Sequence, residues 1–504
     1  MYTLKNPIIP GFYPDPSICR DEKTGDYFLV TSSFEYFPGV PVFKSRNLID
    51  WEQIGHCLTT PEQLPLEHAG ASGGIYAPTI RYHNGTFYMV TTNVTAGGHF
   101  FVTTNDPAGE WSSPVWVRDE KGGVVGGIDP SLFFDDNGKI YFTYTDYGIK
   151  QAEIDVKTGV ISEPKFVWCG IGGRNAEAPH LYKINEMYYL LLAEGGTESG
   201  HMVTIARSAT PWGPFESCPH NPILSNQHTY VMTQGTGHGD LIDGPDGKLW
   251  MLFHGFRQSV YYFHHLGRET YITPVEWENG WPRVENYTKA AIGCGTVDVE
   301  MEINRSVERQ EFPAAPTRSD FSKISHDWVY LRNPDLSKYA VNAGILTLKS
   351  GDLTISSPHG SPTMLLRRQC HFDMLAGTEV SLAPGLASGE EAGITVYYNY
   401  DHHYDFALTR KSDGKTYAIL RKTVGDIVME AFCRECSSQA ELFIRADKDK
   451  YYFLLNGEEV ATGMTQYVST EATICSFTGV LIGLYAQTGA SAEFKFFEMK
   501  EDSK

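Results

Sequence analysis

A sequence motif of alternating apolar and polar segments recurs five times in the first half of the chain. Each copy has a polar or small residue, a proline or glycine, a short apolar run, a turn and a second apolar run. In the clearest copy, Asp129-Pro130 precedes the first run, Asn137-Gly138 lies in the turn, and residues 140–144 form the second run. Because a residue before proline is pushed towards an extended backbone, the motif predicts a strand beginning there. The other copies begin at Asp15, Ala77, Ala178 and His238.

The turns and the spacing of the copies predict the fold of this half. Asn84-Gly85 and Asp246-Gly247 favour two-residue hairpin turns, because both turn positions need a positive φ. The copies are separated by roughly 48 to 62 residues, a period typical of propeller blades of about four strands. We therefore predict an all-β fold with a five-bladed β-propeller, in which equivalent residues of the blades meet at the central channel.

This convergence predicts a functional site at one mouth of the channel. The repeated position carries Asp15, Asp129 and His238, and Glu177 lies one residue before the corresponding Ala178. A single aspartate before proline is a common turn opener. Two aspartates at one repeat position, with a glutamate beside a third copy, need another explanation, because buried like charges cost stability unless they have a task.

The second half of the chain has no such repeat. The propeller is predicted over residues 1–306, a polar, proline-bearing linker over 307–318, and a second domain over 319–504. Short alternating segments such as 393–400, 415–420 and 451–455 are bounded by turns, which is typical of an antiparallel sandwich. We predict a β-sandwich of the jelly-roll, concanavalin-like kind, with no catalytic residues of its own.

Charge and cysteine usage narrow the partners and the compartment. The formal net charge is −20, which disfavours binding to nucleic acid or to anionic membranes but is compatible with a neutral sugar. We find neither a secretory signal nor an apolar stretch of about 20 residues. Nine scattered cysteines suggest free thiols, and we expect a cytoplasmic protein. The isolated pair Cys433 and Cys436 is weak evidence for zinc or redox chemistry.

Three acids at one mouth are suited to cleavage of a glycosidic bond. One carboxylic acid protonates the leaving oxygen, and a carboxylate on the opposite face either activates water or attacks the sugar. Opposite rims of a channel suit the water-activating arrangement, with carboxyl groups about 6.5–9.5 Å apart and inversion at the anomeric carbon. A third acid raises the pKa of the proton donor by like-charge repulsion.

Several motifs give the chain a resemblance to a known family. It resembles the glycoside hydrolases of family 43, in particular the two-domain β-xylosidases and α-L-arabinofuranosidases, over nearly its whole length. The matching motifs are residues 14–17, 31–39, 72–78, 129–132, 177–182, 193–197, 266–270 and 477–479.

The resemblance implies a role for each acid. Asp15 would be the general base, Glu177 the general acid, and Asp129 the residue that tunes the pKa of the acid and orients it. Glu194 is the other candidate for the general acid. The alternative interpretation is that Glu194 has a structural role in the loop after its strand. Arg268 would bind sugar hydroxyls or a catalytic carboxylate. The alternative is that Arg268 forms a surface ion pair with the adjacent glutamate.

The remaining candidates would contact the sugar or a metal. Phe34, Tyr76 and Phe477 would cover the apolar face of a pentose, and many relatives carry Trp where this chain has Tyr76, which leaves the choice between xylose and arabinose open. His238 is either a substrate or metal residue near a structural calcium ion at the propeller axis, or a hydrogen-bonded core histidine.

We therefore expect an exo-acting, inverting glycoside hydrolase that releases terminal xylose, arabinofuranose or both from small oligosaccharides. No cofactor is required, and a homo-oligomer is compatible with the sequence. The alternatives are a predominant α-L-arabinofuranosidase, a retaining fructan-type hydrolase, whose usual motifs this chain lacks, and a non-catalytic sugar-binding propeller.

Overall fold

Five antiparallel sheets follow one another through the first half of the chain and form the predicted propeller blades. The computed structural model describes residues 2–284, 295–312, 317–384, 388–474 and 476–502. Blade 1 consists of Ser17–Arg20, Tyr27–Val30, Gly39–Ser45 and Glu52–Leu58, and blade 2 of Thr79–His83, Thr86–Asn93, Gly98–Thr104 and Val115–Trp116. Blade 3 consists of Ile128–Phe134, Ile140–Thr145 and Ile149–Asp155, with Val160–Ile161 and Lys165–Trp168 both paired to the third strand. Blade 4 consists of Glu177–Ile184, Met187–Glu194, Met202–Ser208 and Glu216–Ser217, and blade 5 of Thr233–Asp243, Leu249–Arg257, Glu269–Glu278 and Trp281–Val284.

Two of the five first hairpins use the predicted two-residue turn. Asn84 and Gly85 have φ values of 51° and 86°, and Asn185 and Glu186 have values of 50° and 63°. The other three blades use longer loops, including residues 244–248, where the two-residue turn predicted at Asp246-Gly247 is wrong. In that loop only Gly247 has a positive φ, of 69°.

The residue before the repeated proline differs from the sequence prediction in three of the four copies that carry a proline. Asp15, Asp129 and Ala178 have φ values of 57°, 53° and 55°, so the extended backbone predicted there is wrong. The strand register shifts at the same place in blades 3 and 4, between Ile128 and Ser131 and between Glu177 and His180. These shifts are β-bulges, which re-aim side chains and are frequent beside active sites. The left-handed backbone therefore helps to orient the acids.

Pairing between the start and the end of the propeller closes the ring. Tyr2–Lys5 pairs with Glu300–Ile303, and Ile9 forms an isolated bridge with Thr270 of blade 5. Apolar side chains fill the seam between blades 5 and 1, including Leu4, Ile18, Leu29, Trp250, Leu252 and Ile303. Similar apolar clusters lie between the other neighbouring blades.

The second domain is a sandwich of two large sheets. The first contains, in spatial order, Tyr339–Asn342, Ile345–Lys349, Ser491–Glu501, Met374–Leu382, Gln439–Ala446, Lys450–Leu455 and Glu458–Met464, and Arg318–Ser319 pairs with the third of these. The second contains Ile427–Glu435, Thr416–Val424, His402–Arg410, Glu391–Asn399, Leu481–Gln487, Met364–Arg368, Trp328–Leu331 and Tyr36–Phe37. Apolar side chains from both sheets fill the space between them.

The last strand of the second sheet comes from the propeller. Tyr36 and Phe37 lie in a loop of blade 1, and they pair with Leu331 and Tyr330 of the sandwich. Beside this pairing lies an apolar cluster shared by the two domains, which includes Phe12, Phe34, Tyr36, Leu331, Met364, Tyr397 and Tyr485. The two domains are therefore joined by backbone hydrogen bonds as well as by side-chain packing.

The remaining described segments are short. Among the described residues, the helices are 3-10 turns at Leu336–Lys338, Thr465–Val468 and Thr470–Ala472. No helix in the described part of the chain is long and apolar enough to cross a membrane. Within the predicted linker, residues 313–316 lie outside the described residues, and Arg309 forms an ion pair with Asp50 of blade 1 at 2.5 Å.

Candidate active site

Asp15 lies at the start of blade 1 among basic and hydroxyl groups. The side chain is buried, and its Oδ1 atom lies 2.6 Å from Nη1 of Arg268 and 2.9 Å from Nδ1 of His254. The hydroxyl of Ser32 donates a hydrogen bond to the other carboxylate oxygen. Burial alone would raise the pKa of Asp15, but Arg268 and the histidines hold it well below its usual range. Asp15 is therefore an ionised carboxylate.

Asp129 and Glu177 have the opposite electrostatic environment. Oδ2 of Asp129 accepts a hydrogen bond from the backbone N–H of Ala178 at 3.1 Å, which links blade 3 to the residue after Glu177. Burial and the charge of Asp15 raise the pKa of Asp129 to about 7. Burial, followed by the charges of Asp129 and Asp15, raises the pKa of Glu177 well above its usual range. The structure thus brings the three predicted acids together and shifts the pKa values of Asp15 and Glu177 in opposite directions.

Arg268 lies between the propeller and the sandwich. Its Nη1 atom donates to Asp15, and its Nη2 atom donates to the backbone carbonyl of Phe477 at 3.2 Å. The two backbones approach closely here: a Cβ atom on Gly479 would lie 2.4 Å from the carbonyl oxygen of Leu266, so only glycine fits. The surface ion pair considered for Arg268 is wrong, because this side chain is buried and the partner of Glu269 is Arg257.

Three aromatic rings form a wall beside these charges. The ring centroid of Phe34 lies 5.2 Å from that of Tyr76 and 6.0 Å from that of Phe477, and the last two are 5.9 Å apart. The guanidinium carbon of Arg268 lies 5.8 Å from the rings of both phenylalanines. The predicted substrate-binding residues Phe34, Tyr76, Arg268 and Phe477 are therefore neighbours, with Phe477 contributed by the sandwich.

His238 belongs to a group of histidines behind Asp15. Its Nδ1 atom lies 3.6 Å from Oδ1 of Asp15, and its ring packs against His254 with centroids 5.5 Å apart. Ligand atoms of Asp15, His238 and His254 all lie within 4.8 Å of one another. Calcium prefers six to eight oxygen ligands, whereas this set offers two imidazoles and a carboxylate already paired with Arg268. The donor set does not fit calcium, and the predicted ion stays a prediction.

Glu194 has a structural environment. Its buried carboxylate accepts hydrogen bonds from the backbone N–H groups of Ile171 and Gly173 and from the hydroxyl of Thr204. These bonds fix the loop that precedes Glu177 in the chain. The contacts therefore support a structural role for Glu194 over the role of general acid.

Sequence reasoning missed four polar residues of the site. Ser32, Glu35 and Ser72 lie inside motifs that were recognised, so the motifs indicated their region without indicating their contacts. His254 lies within an apolar strand of blade 5, Leu249–Arg257, and carried no signal of its own. Only the closure of the ring brings it to Asp15.

Comparison with known proteins agrees with this geometry. The profile described as "Glycosyl hydrolases family 43" matches residues 4–282, and "Beta xylosidase C-terminal Concanavalin A-like domain" matches residues 318–500. The chain is 39% identical over 525 residues to a Bacteroides ovatus protein named "Non-reducing end alpha-L-arabinofuranosidase BoGH43B", covering 99% of this chain and 95% of that protein. It is 34% identical to a "Xylosidase/arabinosidase" of Butyrivibrio fibrisolvens, covering 99% of this chain and 100% of the relative.

Solved structures show the same two-domain fold. The structure described as "Bacteroides ovatus Xyloglucan PUL GH43B" superposes with a TM-score of 0.91 at 38% identity, covering 99% of this chain and 100% of the other. A xylan beta-1,4-xylosidase from Bacillus halodurans superposes with a TM-score of 0.89 at 30% identity, with the same coverage. The family profile and the full-length relatives lead to one conclusion: the chain belongs to glycosyl hydrolase family 43.

Proposed function

We propose that the protein is an exo-acting, inverting glycoside hydrolase that releases terminal xylose, arabinofuranose or both from the non-reducing ends of short oligosaccharides. The observation that carries this proposal is the convergence of Asp15, Asp129 and Glu177 at one site, where Arg268 and the histidines lower the pKa of Asp15 while burial and the other two acids raise the pKa of Glu177. The activities in the names of the full-length relatives support the choice of pentosides.

Each acid has one task in this mechanism. Asp15, held by Arg268 and Ser32, takes a proton from a water molecule, whose oxygen forms the new bond to the anomeric carbon. Glu177 gives its proton to the glycosidic oxygen as the bond to the leaving sugar breaks. Attack and departure on opposite faces invert the anomeric configuration. Asp129 keeps Glu177 protonated through its charge and holds the adjacent backbone.

The aromatic wall supports an exo mode of action. Phe34, Tyr76 and Phe477 surround the position beside Arg268, and the sandwich domain contributes one of these rings. A site closed by a second domain suits the end of a chain and excludes the middle of a polymer. The small oligosaccharide is therefore the expected partner, while the homo-oligomeric state and the cytoplasmic location stay predictions.

Kinetics on two aryl pentosides test the proposal. We expect turnover of p-nitrophenyl β-D-xylopyranoside, of p-nitrophenyl α-L-arabinofuranoside, or of both, and the ratio of kcat/KM values identifies the preferred sugar. Proton NMR of the first product formed should show the inverted anomer. Retention would contradict the role of Asp15, and binding without turnover of either compound would support the non-catalytic alternative.

A further inference from the structure

A buried carboxyl group outside the three acids lies directly behind the aromatic wall. Glu35 is 1% exposed, and it follows Phe34 of the wall and precedes Tyr36 of the interdomain strand. Its Oε2 atom accepts a hydrogen bond from the backbone N–H of Ser72 at 3.0 Å. Its backbone carbonyl accepts one from the N–H of Arg332 of the sandwich at 2.8 Å. The mechanism above gives this residue no task.

Ser72 needs the support that Glu35 gives. Its φ is 58°, in the left-handed region, which is strained for a residue other than glycine. In this conformation its hydroxyl oxygen accepts a hydrogen bond from the backbone N–H of Phe477 at 2.9 Å. The carboxylate of Glu35 holds Ser72 by its N–H, and the hydroxyl of Ser72 in turn holds the sandwich loop that carries Phe477.

The contacts continue from Phe477 to the catalytic base. Its backbone carbonyl accepts a hydrogen bond from Arg268, and Arg268 forms the ion pair with Asp15. The ring of Phe477 meanwhile packs against Phe34 and Tyr76. An unbroken series of contacts therefore runs from Glu35 through Ser72, Phe477 and Arg268 to Asp15.

We propose that Glu35 is a positioning residue that, through Ser72, fixes Phe477 over the terminal-sugar site. This inference rests on the proposed function, because it assigns Phe477 to the wall of that sugar site. The polar series fixes the loop that carries Phe477 at the site, in addition to the backbone pairing and apolar packing that join the two domains. Burial raises the pKa of Glu35 to about 7, despite hydrogen bonds from backbone N–H groups and the charge of Arg332. A neutral glutamine at this position would keep the acceptor oxygen.

Three variants of the full-length enzyme test the inference on the preferred aryl pentoside. Glu35→Ala removes the acceptor, and Ser72→Gly removes the hydroxyl while suiting the left-handed backbone. We expect each to raise KM by about tenfold, as for one lost hydrogen bond, and to change kcat less than threefold. Glu35→Gln should keep a near-normal KM, because its amide oxygen replaces the carboxylate oxygen.

The combined variant separates positioning from general damage. Because both residues act on Phe477 through one series, the KM of the Glu35→Ala/Ser72→Gly double variant should match the larger single effect and not the product. A normal KM in Ser72→Gly, or multiplied effects in the double variant, would overturn the inference. Failure of the proposed function is distinguishable, because the unchanged enzyme would then turn over neither pentoside.

Discussion

At the scale of single residues, the neighbours of Asp15 and Glu177 shift the pKa values of these two carboxyl groups in opposite directions. Asp15 has a guanidinium at 2.6 Å, so its pKa falls, whereas burial and then the charges of two other acids raise the pKa of Glu177. The same site therefore contains a group suited to act as a base and a group suited to act as an acid. The identity of these acids was predictable from repeat position and motif, but their protonation states depend on Arg268, which is distant in sequence.

The leaving group should reveal which residue is the acid. Glu177→Ala should lower kcat/KM on xylobiose or arabino-oligosaccharides by roughly 10²–10⁴-fold, the usual contribution of general acid catalysis. The loss on a p-nitrophenyl pentoside should be smaller, because this leaving group departs with little protonation. Asp15→Ala should impair both substrates equally, since every reaction needs an activated water. Equal losses on both substrates in Glu177→Ala would contradict its role.

The charge of Asp129 should be visible in the pH profile. Glu177 acts in its protonated form, so activity falls as pH rises through its pKa. Asp129 raises that pKa, and Asp129→Asn should therefore move the basic limb of kcat/KM to lower pH. The acidic limb reports Asp15 and serves as the internal reference. An unmoved basic limb would show that Asp129 does not tune Glu177.

At the scale of strands and turns, local sequence predicted the elements better than their backbone conformations. Asn84-Gly85 forms the expected turn, because both residues tolerate a positive φ. The prolines after Asp15, Asp129 and Ala178 favoured an extended residue, yet all three are left-handed. The bulges there depend on neighbouring strands and on contacts such as the hydrogen bond from Ala178 to Asp129. Local residue preferences cannot predict these contacts, because the partners are distant in the sequence.

A pair of glycine substitutions tests the turn assignment. Gly85 has a φ of 86°, so Gly85→Ala should destabilise the protein by about 1–2 kcal/mol. Gly55 has no atom near an added Cβ and no positive φ, so Gly55→Ala should be neutral or slightly stabilising. Urea unfolding midpoints followed by fluorescence measure both. Equal midpoints for the two variants would contradict a left-handed residue at position 85.

At the scale of the whole molecule, the catalytic propeller and the sandwich share one site. The blade count and the sandwich class followed from periodicity and turn spacing, because those patterns are repeated many times. The way the domains meet did not, because the pairing of Tyr36–Phe37 with Trp328–Leu331 joins segments about 300 residues apart. The placement of Phe477 beside Phe34 was expected from family likeness and not from its surroundings.

Removal of the sandwich should abolish function. A chain ending at residue 306 would expose the shared apolar cluster around Phe12, Phe34 and Tyr36 and would lack Phe477. We expect it to aggregate or to bind a hydrophobic dye, with no measurable pentosidase activity. Full-length Phe477→Ala is the matched control, which should stay soluble and show a raised KM. A soluble fragment with a normal KM would show that the propeller is self-sufficient.

The interdomain strand also limits how this enzyme can be recombined with its relatives. Because two residues of blade 1 complete a sheet of the other domain, the seam between the two folds does not coincide with any single cut in the gene. A chimera that grafts a foreign sandwich onto this propeller must therefore also carry the donor's version of residues 34–37. Shuffling libraries should therefore place their crossover points so that residues 34–37 and the sandwich come from the same parent.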